Sequence, residues 1–387
     1  MDKYSFTDCV DIVGNACAEF TGEKAYISTG AVNEDHINQS EVEMVDYLDK
    51  PSRANLSVET GDILFAKMQA TRKTLYVTEE LSKNIYSTGF FAVRPHSNVL
   101  TSKCLFYLLT SKTFLNQKDK YCSGATQKAI TNSGLQKILI TLPPIDQQNR
   151  ISEQLDLISE TIKTKTSELK KFDDLVKARF VEMFGDPTIE EGRWRTKKLT
   201  DLGKFKNGMN FHQDDSGVKI RCLGVGDFKD NNLITDMGLL PYIALSSQPA
   251  DDYLLRDEDI VFVRSNGNKA LVGRSVQVFP KDIPVTFSGF CIRYRLDSTE
   301  VMSRYLLEQL KIDSVRQQMA GRGANIQNLN QQILSNINVS IPPIEMQKKY
   351  VNFVQQVDKS KVAVQRSLDQ MELLRESMMQ NYFGFEQ

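Results

Sequence analysis

The sequence has few histidines and cysteines among its 387 residues, and it lacks any long apolar run. No stretch approaches the about 18 to 20 apolar residues of a membrane span, and the first residues contain no apolar signal core. We therefore expect neither export nor membrane anchoring, and a cytoplasmic location.

Metal-binding spacings are also missing. The six cysteines contain no Cys-x-x-Cys pair, so free thiols in a reducing compartment are the simplest interpretation. The three histidines, His36, His96 and His212, have polar neighbours or follow a proline, which favours solvated loop positions over ligand or acid–base roles. We expect no bound metal.

No motif for catalysis or cofactor binding is readable. The sequence has no Walker A loop, no His-Glu-x-x-His and no Gly-x-Ser-x-Gly. Two Pro-Pro pairs lack the polar and aromatic neighbours with which adenine methyltransferases hold a flipped base. We expect no catalytic residue and no cofactor bound by this chain, although a catalytic site assembled from scattered residues stays an alternative.

Net charge is close to zero, with 48 Lys and Arg against 49 Asp and Glu. That balance excludes a generally basic nucleic-acid coat. It leaves a local basic groove open, because net charge says nothing about where the charges lie.

A long internal repeat is present instead. Gly124 and Gly323 begin matching Gly-Ala motifs (323 − 124 = 199), and Pro143 and Pro342 begin matching Pro-Pro pairs at the same shift. A period this long is typical of a duplicated module rather than a solenoid. The matched segments, with small differences in loop length, are 61–65 with 258–262, 88–90 with 288–290, 123–128 with 322–327, 142–148 with 341–347, and 184–185 with 383–384.

Each copy is predicted to have an α+β front part and a helical back part. Short β-rich runs lie between turn signals, and helical stretches at 104–115 and 303–319 interrupt them. The Pro-Pro pair predicts an extended joint before the helix. The predicted divisions are 1–143, 144–186, 187–342 and 343–387.

The two back parts have an apolar heptad pattern sustained over about four heptads. Each helix could pack on its own domain, but about 35 residues extend about 50 Å, longer than one small domain covers. We therefore favour packing of the helices against each other, as an antiparallel coiled coil if a pseudo-twofold axis relates the copies. The predicted seam is Leu155, Ile158, Ile162, Leu169, Phe172, Val354, Val357, Val364, Leu368 and Met371.

Polar clusters occur at matched points of the two front parts, with different residues in each. Arginine is uneven as well, with three in residues 1–143 and eleven in 187–343. Arg, Lys, Asn and Gln suit base edges and phosphates, whereas each one alone could be a solvated loop residue. The candidate DNA-binding residues are Lys67, Gln69, Arg72, Lys73, Gln127, Lys128, Arg264, Asn266, Asn268, Lys269, Arg322, Asn325 and Gln327.

Taken together, these features resemble the specificity subunit of bacterial type I restriction–modification systems, over essentially the whole chain. The carrying motifs are the Gly-Ala and Pro-Pro-Ile-x-x-Gln ends of each domain, at 124–148 and 323–347, and the Phe-Gly ends of the helices. The opening of the second domain, 194–203, fits too. The first domain reads Phe-Thr-Asp-Cys-Val at 6–10 and departs from that opening, so its first strand is less secure.

The resemblance implies a non-catalytic subunit with two target-recognition domains that read a bipartite, asymmetric target in double-stranded DNA. It further implies a spacer of paired helices, on which two methylation subunits dock. Those partners would bind S-adenosylmethionine and methylate adenine at N6, and two restriction subunits would join where the system has them. The alternatives are a self-contained DNA methyltransferase or nuclease, and a coiled-coil scaffold that does not bind DNA.

Overall fold

The chain divides into two compact units, each of which combines an α+β domain with part of both long helices. The first unit consists of Met1–Ser167 and Gln365–Gln387, and the second of Glu168–Val364. The structure is a computed structural model, and it describes residues 2–188, 193–211, 217–228, 231–268, 271–320 and 328–384.

In the first unit the strands form two four-stranded sheets and two strand pairs. The sheet orders are β6-β3-β10-β7 and β2-β11-β8-β9, and the pairs are β1-β12 and β4-β5. The strands are β1 Asp2–Ser5, β2 Val10–Val13, β3 Glu23–Ile27, β4 Val32–Asn33, β5 His36–Ile37, β6 Glu43–Asp46, β7 Ala54–Leu56, β8 Ile63–Ala66, β9 Thr74–Tyr76, β10 Ile85–Ser87, β11 Phe90–Pro95 and β12 Leu139–Leu142.

Three short α-helices complete this domain: α1 Ser102–Thr110, α2 Lys112–Lys120 and α3 Asn132–Leu135. The single helical stretch expected at 104–115 is wrong, because Ser111 breaks it. Ser111 has an extended backbone, and its hydroxyl accepts a hydrogen bond from the Phe114 amide and so caps the second helix.

The second unit repeats this plan. Its sheets have the orders β14-β21-β18-β19-β16 and β17-β15-β20, with the pair β13-β22. The helices are α5 Ser303–Leu310, α6 Asp313–Ala320 and α7 Gln331–Ser335, so the stretch expected at 303–319 is also two helices. The strands are β13 Arg195–Lys198, β14 Gly203–Asn207, β15 Val218–Leu223, β16 Leu233–Ile234, β17 Tyr242–Leu245, β18 Ile260–Val263, β19 Ser275–Val278, β20 Val285–Phe287, β21 Cys291–Leu296 and β22 Asn338–Ile341.

Strand pairings show how closely the units match. The pairs β3–β10 and β15–β20 are both parallel, whereas β8–β11 and β18–β21 are both antiparallel. The opening of the first domain also follows the plan, because β1 pairs with β12 as β13 pairs with β22. The tandem duplication predicted from the sequence is confirmed.

One predicted alignment slips by a residue. The sequence match placed Phe90 with Phe290, but in the sheets Phe90 lies opposite Ala66, whereas Cys291 lies opposite Val263. Phe290 therefore occupies the place of Gly89. The similar residues at 88–90 and 288–290 suggested a direct match, although the preceding loops of the two units differ in length.

The long helices are α4 Ile145–Phe184 and α8 Ile344–Phe383, and each begins directly after its Pro-Pro pair as predicted. Gly185 follows α4 with a φ of 77°, and its amide donates to the Val181 carbonyl at 2.8 Å. This left-handed backbone favours glycine, which explains the first Phe-Gly landmark. None of the described helices is long and apolar enough to span a membrane.

The two helices run antiparallel within each unit. In the second unit the Arg179 guanidinium lies 5.9 Å from the Phe353 ring, and Asp173 pairs with Lys361 at 2.7 Å. The contact nearer the end of α4 thus involves the residue nearer the start of α8, as antiparallel helices require. In the first unit Leu155, near the start of α4, shares a core with Phe383 at the end of α8.

All ten predicted seam residues are at least partly covered. Five are buried, namely Leu155, Ile158, Val354, Val357 and Leu368. The other five, Ile162, Leu169, Phe172, Val364 and Met371, are half-buried.

Candidate nucleic-acid interface

In the first unit the structure brings together two polar clusters that are far apart in the sequence. The segment 67–73 follows β8, and residues 127 and 128 precede α3. The Gln69 amide donates to the Lys128 carbonyl at 2.9 Å, and the Ile130 amide donates to the Lys67 carbonyl at 2.9 Å. The predicted residues of this domain thus lie on adjoining segments, which the sequence alone did not indicate.

The second unit repeats this junction. The Leu329 amide donates to the Arg264 carbonyl at 2.7 Å, and Ser265 forms a bridge with Asn328. Backbone hydrogen bonds therefore fix the segment after β18 in the same way as they fix the equivalent segment after β8. Four further predicted residues, Lys269, Arg322, Asn325 and Gln327, lie outside the described residues, as does His212.

The first cation of each cluster contacts its own domain. The Lys67 Nζ donates to the Thr88 carbonyl at 2.8 Å and lies 4.5 Å from the centre of the Phe91 ring. Burial lowers the pKa of the Lys67 amine. Likewise, Arg264 Nη1 donates to the Gly289 carbonyl at 3.3 Å. Both side chains fix the loop before the next strand, so a base contact would have to compete with these bonds.

Other predicted side chains lie at the surface. Gln69, Arg72, Gln127, Lys128 and Asn268 are exposed. The side-chain Nε2 of Gln69 donates to the Asp119 carbonyl at 3.1 Å. These are the side chains that could meet a base without first leaving a buried position.

Lys73 and Asn266 are half-buried and partly engaged. The Lys73 Nζ donates to the Thr29 carbonyl at 2.6 Å, and the Asn266 Oδ1 accepts from the Asn268 amide at 2.8 Å. Their roles in DNA contact, like those of the other candidates, stay predictions.

Part of the arginine excess of the second domain is structural. Arg295 makes a two-pronged contact with Asp259, at 2.8 and 2.7 Å. Arg304 pairs with Asp358 at 2.8 Å and with Glu308 at 3.1 Å. These pairs support the sheet and α8, so the count of arginines overstates the charge available to DNA.

The landmark at 61–65 and 258–262 is explained by its aspartate. Asp62 is 1% exposed, and its Oδ1 accepts from Arg94 Nε at 2.7 Å while its Oδ2 accepts from the Glu59 amide at 2.8 Å. Asp259 accepts in the same way from Arg295 and from the Arg256 amide. Each aspartate therefore fixes a turn, a structural role that the motif alone did not reveal.

A buried glutamine explains the Pro-Pro-Ile-x-x-Gln landmark. The Gln148 Oε1 accepts from the Thr101 amide at 2.9 Å, and its Nε2 donates to the Val99 and Pro143 carbonyls at 2.8 and 3.0 Å. Gln347 makes the matching contacts with the Met302 amide and with the Glu300 and Pro342 carbonyls. Both side chains join the start of a long helix to the start of α1 or α5.

Five of the six cysteine thiols are buried, and the imidazole of His96 contacts a carboxylate. Burial raises the pKa of Cys9 to about 11 and that of Cys104 to about 12, so these thiols stay protonated. His96 forms an ion pair with Asp11 at 3.1 Å. Across the described ranges, no group of three or more His, Cys, Asp or Glu residues could hold a metal ion.

Comparison with known proteins places these features in a family. The family model for the type I restriction modification DNA specificity domain matches the chain twice, at residues 12–171 and 191–371. The two matches correspond to the two copies of the repeat.

Sequence relatives carry the same designation. The StySPI specificity subunit of Salmonella potsdam is 26% identical over 314 residues, which is 76% of this chain and 66% of the relative. The MjaVIII specificity subunit of Methanocaldococcus jannaschii is 20% identical over 319 residues, 77% of this chain and 73% of the relative. The chain thus spans just under two thirds of the StySPI subunit.

Solved structures show the same fold. A chain from a structure on complex assembly and conformational transition of the type I R-M system superposes with a TM-score of 0.57 and 19% identity, covering 98% of this chain and 97% of that one. The type I S subunit from M. genitalium gives a TM-score of 0.55 and 14% identity, covering 100% and 96%. Because the family model covers most of the chain in two successive matches, the chain belongs to the type I restriction modification DNA specificity domain family.

Proposed function

We propose that this chain is the DNA specificity subunit of a type I restriction–modification complex, acting in the cytoplasm without catalysis of its own. Each unit would read one half of a bipartite target in double-stranded DNA. The observation that carries the proposal is the repeated junction, in which segment 67–73 adjoins Lys128 and Arg264 adjoins Leu329. One scaffold holds different polar side chains at equivalent places, as an asymmetric target requires.

The partners follow from the same proposal. Two methylation subunits would dock on the long helices, bind S-adenosylmethionine and methylate adenine at N6, and restriction subunits would join where the system has them. The paired helices would set the number of base pairs between the half-sites.

Exposed leucines on the long helices support two docking positions. Leu175 on α4 is 47% exposed, and Leu374, its counterpart in the repeat, is 44% exposed. Matched apolar side chains at equivalent places suit two copies of one partner. We expect Leu175→Asp or Leu374→Asp to leave one methylation subunit bound per chain, measured by native mass spectrometry. Loss of both copies, or of neither, would contradict independent docking positions.

The test is to assemble the full chain with its methylation subunits, expose genomic DNA to the complex, and sequence the modified adenines. We expect one split target, with a constant number of base pairs between its halves. The isolated chain serves as the control.

The rival functions give different outcomes. Methyl transfer by the purified chain alone would favour a self-contained methyltransferase. Absence of DNA binding, even in the assembled complex, would favour a scaffold. The buried thiols and the pairing of His96 with Asp11 argue against the first rival, and the exposed polar side chains on adjoining segments argue against the second.

A further inference from the structure

Phe290 stands apart from the other phenylalanines of the structure. Its side chain is 62% exposed, and it is the one exposed phenylalanine in the described ranges. The residues on either side are buried: Gly289 belongs to the loop beneath it and Cys291 is fully covered. A ring that is 62% exposed gains only part of the free energy that full burial in its own domain would supply.

The backbone of Phe290 is held firmly beside a predicted recognition segment. Its carbonyl accepts from the amides of Arg264 and Ser265 at 2.8 and 3.4 Å. Its amide donates to the buried Ser288 hydroxyl at 3.3 Å. One residue earlier, the Gly289 amide donates to the Met209 carbonyl at 2.7 Å. The backbone of Phe290 is therefore fixed beside the backbone of Arg264 and Ser265.

The first unit lacks this ring at the equivalent place. Gly89 accepts from the Lys67 amide as Phe290 accepts from Arg264, and its amide donates to the Ser87 hydroxyl at 3.1 Å. A Cβ atom on Gly89 would lie 2.9 Å from the Thr29 side chain. The shared scaffold does not require an aromatic residue here, so the ring is a property of the second domain alone.

We propose that Phe290 is a specificity-determining residue that contacts the C5-methyl group of one thymine in the half-site read by the second unit. The inference rests on the proposed function. Thymine is the base that presents a methyl group in the major groove, and phenylalanine is among the side chains that contact it. Arg264 and Asn266 have side chains suited to guanine and adenine edges in the same groove. Asn266 and, once its bond to the Gly289 carbonyl is released, Arg264 would read bases near that thymine.

The test uses the complex of the full chain with its methylation subunits and a duplex carrying its target sequence. Each thymine is replaced singly by deoxyuridine, which removes only the major-groove methyl group. For the wild-type chain we expect one replacement to weaken binding roughly fourfold, the effect of exposing one methyl group. For Phe290→Ala we expect weaker binding to the thymine duplex and no further loss with uracil at that position.

Tyr242→Ala is the matched control, because Tyr242 is 60% exposed in the same unit and lies on β17 in a different sheet. That variant should keep the wild-type response to uracil. Asn266→Ala should relax discrimination in the half-site that contains the critical thymine. Phe290→Ala should unfold at the wild-type temperature. Tyr242→Ala should unfold slightly below it, because the Arg221 guanidinium lies 4.3 Å from the centre of the Tyr242 ring.

Several outcomes would overturn the inference. If no uracil replacement weakens the wild type, or if Phe290→Ala keeps the response, Phe290 does not read a methyl group. A uniform loss on every sequence would indicate a wedge between base pairs or a contact with the DNA backbone. If the wild-type complex binds no duplex at all, the proposed function itself fails, and this result is distinct from the others.

Discussion

In the first unit His96 pairs with Asp11, whereas the second unit has the opposite polarity at the same place. The equivalence follows from the sheets, where Asp11 lies opposite Arg94 and Lys204 lies opposite Arg295. His96 Nε2 is 3.1 Å from Asp11, and Lys204 Nζ is 3.9 Å from Asp297. The positive and the negative side chain therefore occupy exchanged positions in the two units: Lys204 stands in the place of Asp11, and Asp297 in the place of His96. Exposed pairs of this kind can exchange freely because each contributes little to stability.

A second ion pair, between a buried aspartate and an arginine, is retained in both units. Asp62 with Arg94 and Asp259 with Arg295 keep the same partners, since an unpaired carboxylate in a buried position is costly. The environment differs nevertheless: 42% of the Arg94 side chain is exposed, against 21% for Arg295. The Asp259–Arg295 pair is therefore less exposed to water than the Asp62–Arg94 pair, and matched substitutions can measure what this difference does to stability.

The largest expected effect is from Asp259→Ala. Removing the carboxylate leaves the Arg295 guanidinium without its two-pronged partner and should cost about 3 to 5 kcal/mol. The matched change Asp62→Ala should cost about 1 to 3 kcal/mol, because Arg94 stays hydrated. Urea unfolding of the full chain would measure both. Equal losses would contradict the difference between the units.

A second comparison concerns the helix seam. Leu169 and Leu368 are counterparts in the repeat, yet Leu368 is 6% exposed and Leu169 is half-buried. Leu368→Ala should cost about 2 to 5 kcal/mol, and Leu169→Ala should cost less because water already reaches that site. Circular dichroism during thermal unfolding would rank them. The reverse order would place the tighter part of the seam in the second unit.

Recognition should divide between the units. Asn266→Ala should relax discrimination in one half-site by about 1 to 3 kcal/mol for a lost bidentate base contact, and Arg72→Ala should do so in the other half-site only. Binding to duplexes altered in one half at a time would measure this. An equal loss for all sequences would instead assign these side chains to phosphate contacts.

The smallest effect should be a pH dependence confined to the first unit. The hydrogen bond to Asp11 raises the pKa of His96. A group whose pKa rises on folding adds stability at low pH, and that stability is lost as pH increases through the folded value. The window thus lies just above the ordinary histidine pKa of about 6.5. His96→Gln should flatten stability there, measured by unfolding between about pH 6 and 8, whereas Asp297→Asn should leave the pH profile unchanged.

The sequence predicts the periodic features of this molecule well. The repeat and the long helices leave a pattern in the chain itself, since helical spacing and the Pro-Pro boundaries depend on near neighbours. The prediction of two α+β copies and antiparallel helices is confirmed on this basis.

Features that depend on contacts between residues far apart in the sequence could not be predicted from the sequence pattern. No sequence pattern shows that Gln69 adjoins Lys128. Nor does any pattern show that the Arg295 guanidinium binds Asp259 and is thereby unavailable to DNA. The slip that placed Phe90 with Phe290 has the same cause, because the register between strands is fixed by sheet pairing. Which candidates touch DNA stays a prediction for this reason.

The buried glutamines give each unit a stiff joint. The Pro-Pro pair fixes φ at two residues between a strand and a helix, and Gln148 and Gln347 each tie three backbone groups together across the same junction. Each α+β domain is therefore rigidly connected to the start of its long helix. Torque applied to the domain by a twisted duplex would pass into the helix instead of being absorbed at the joint.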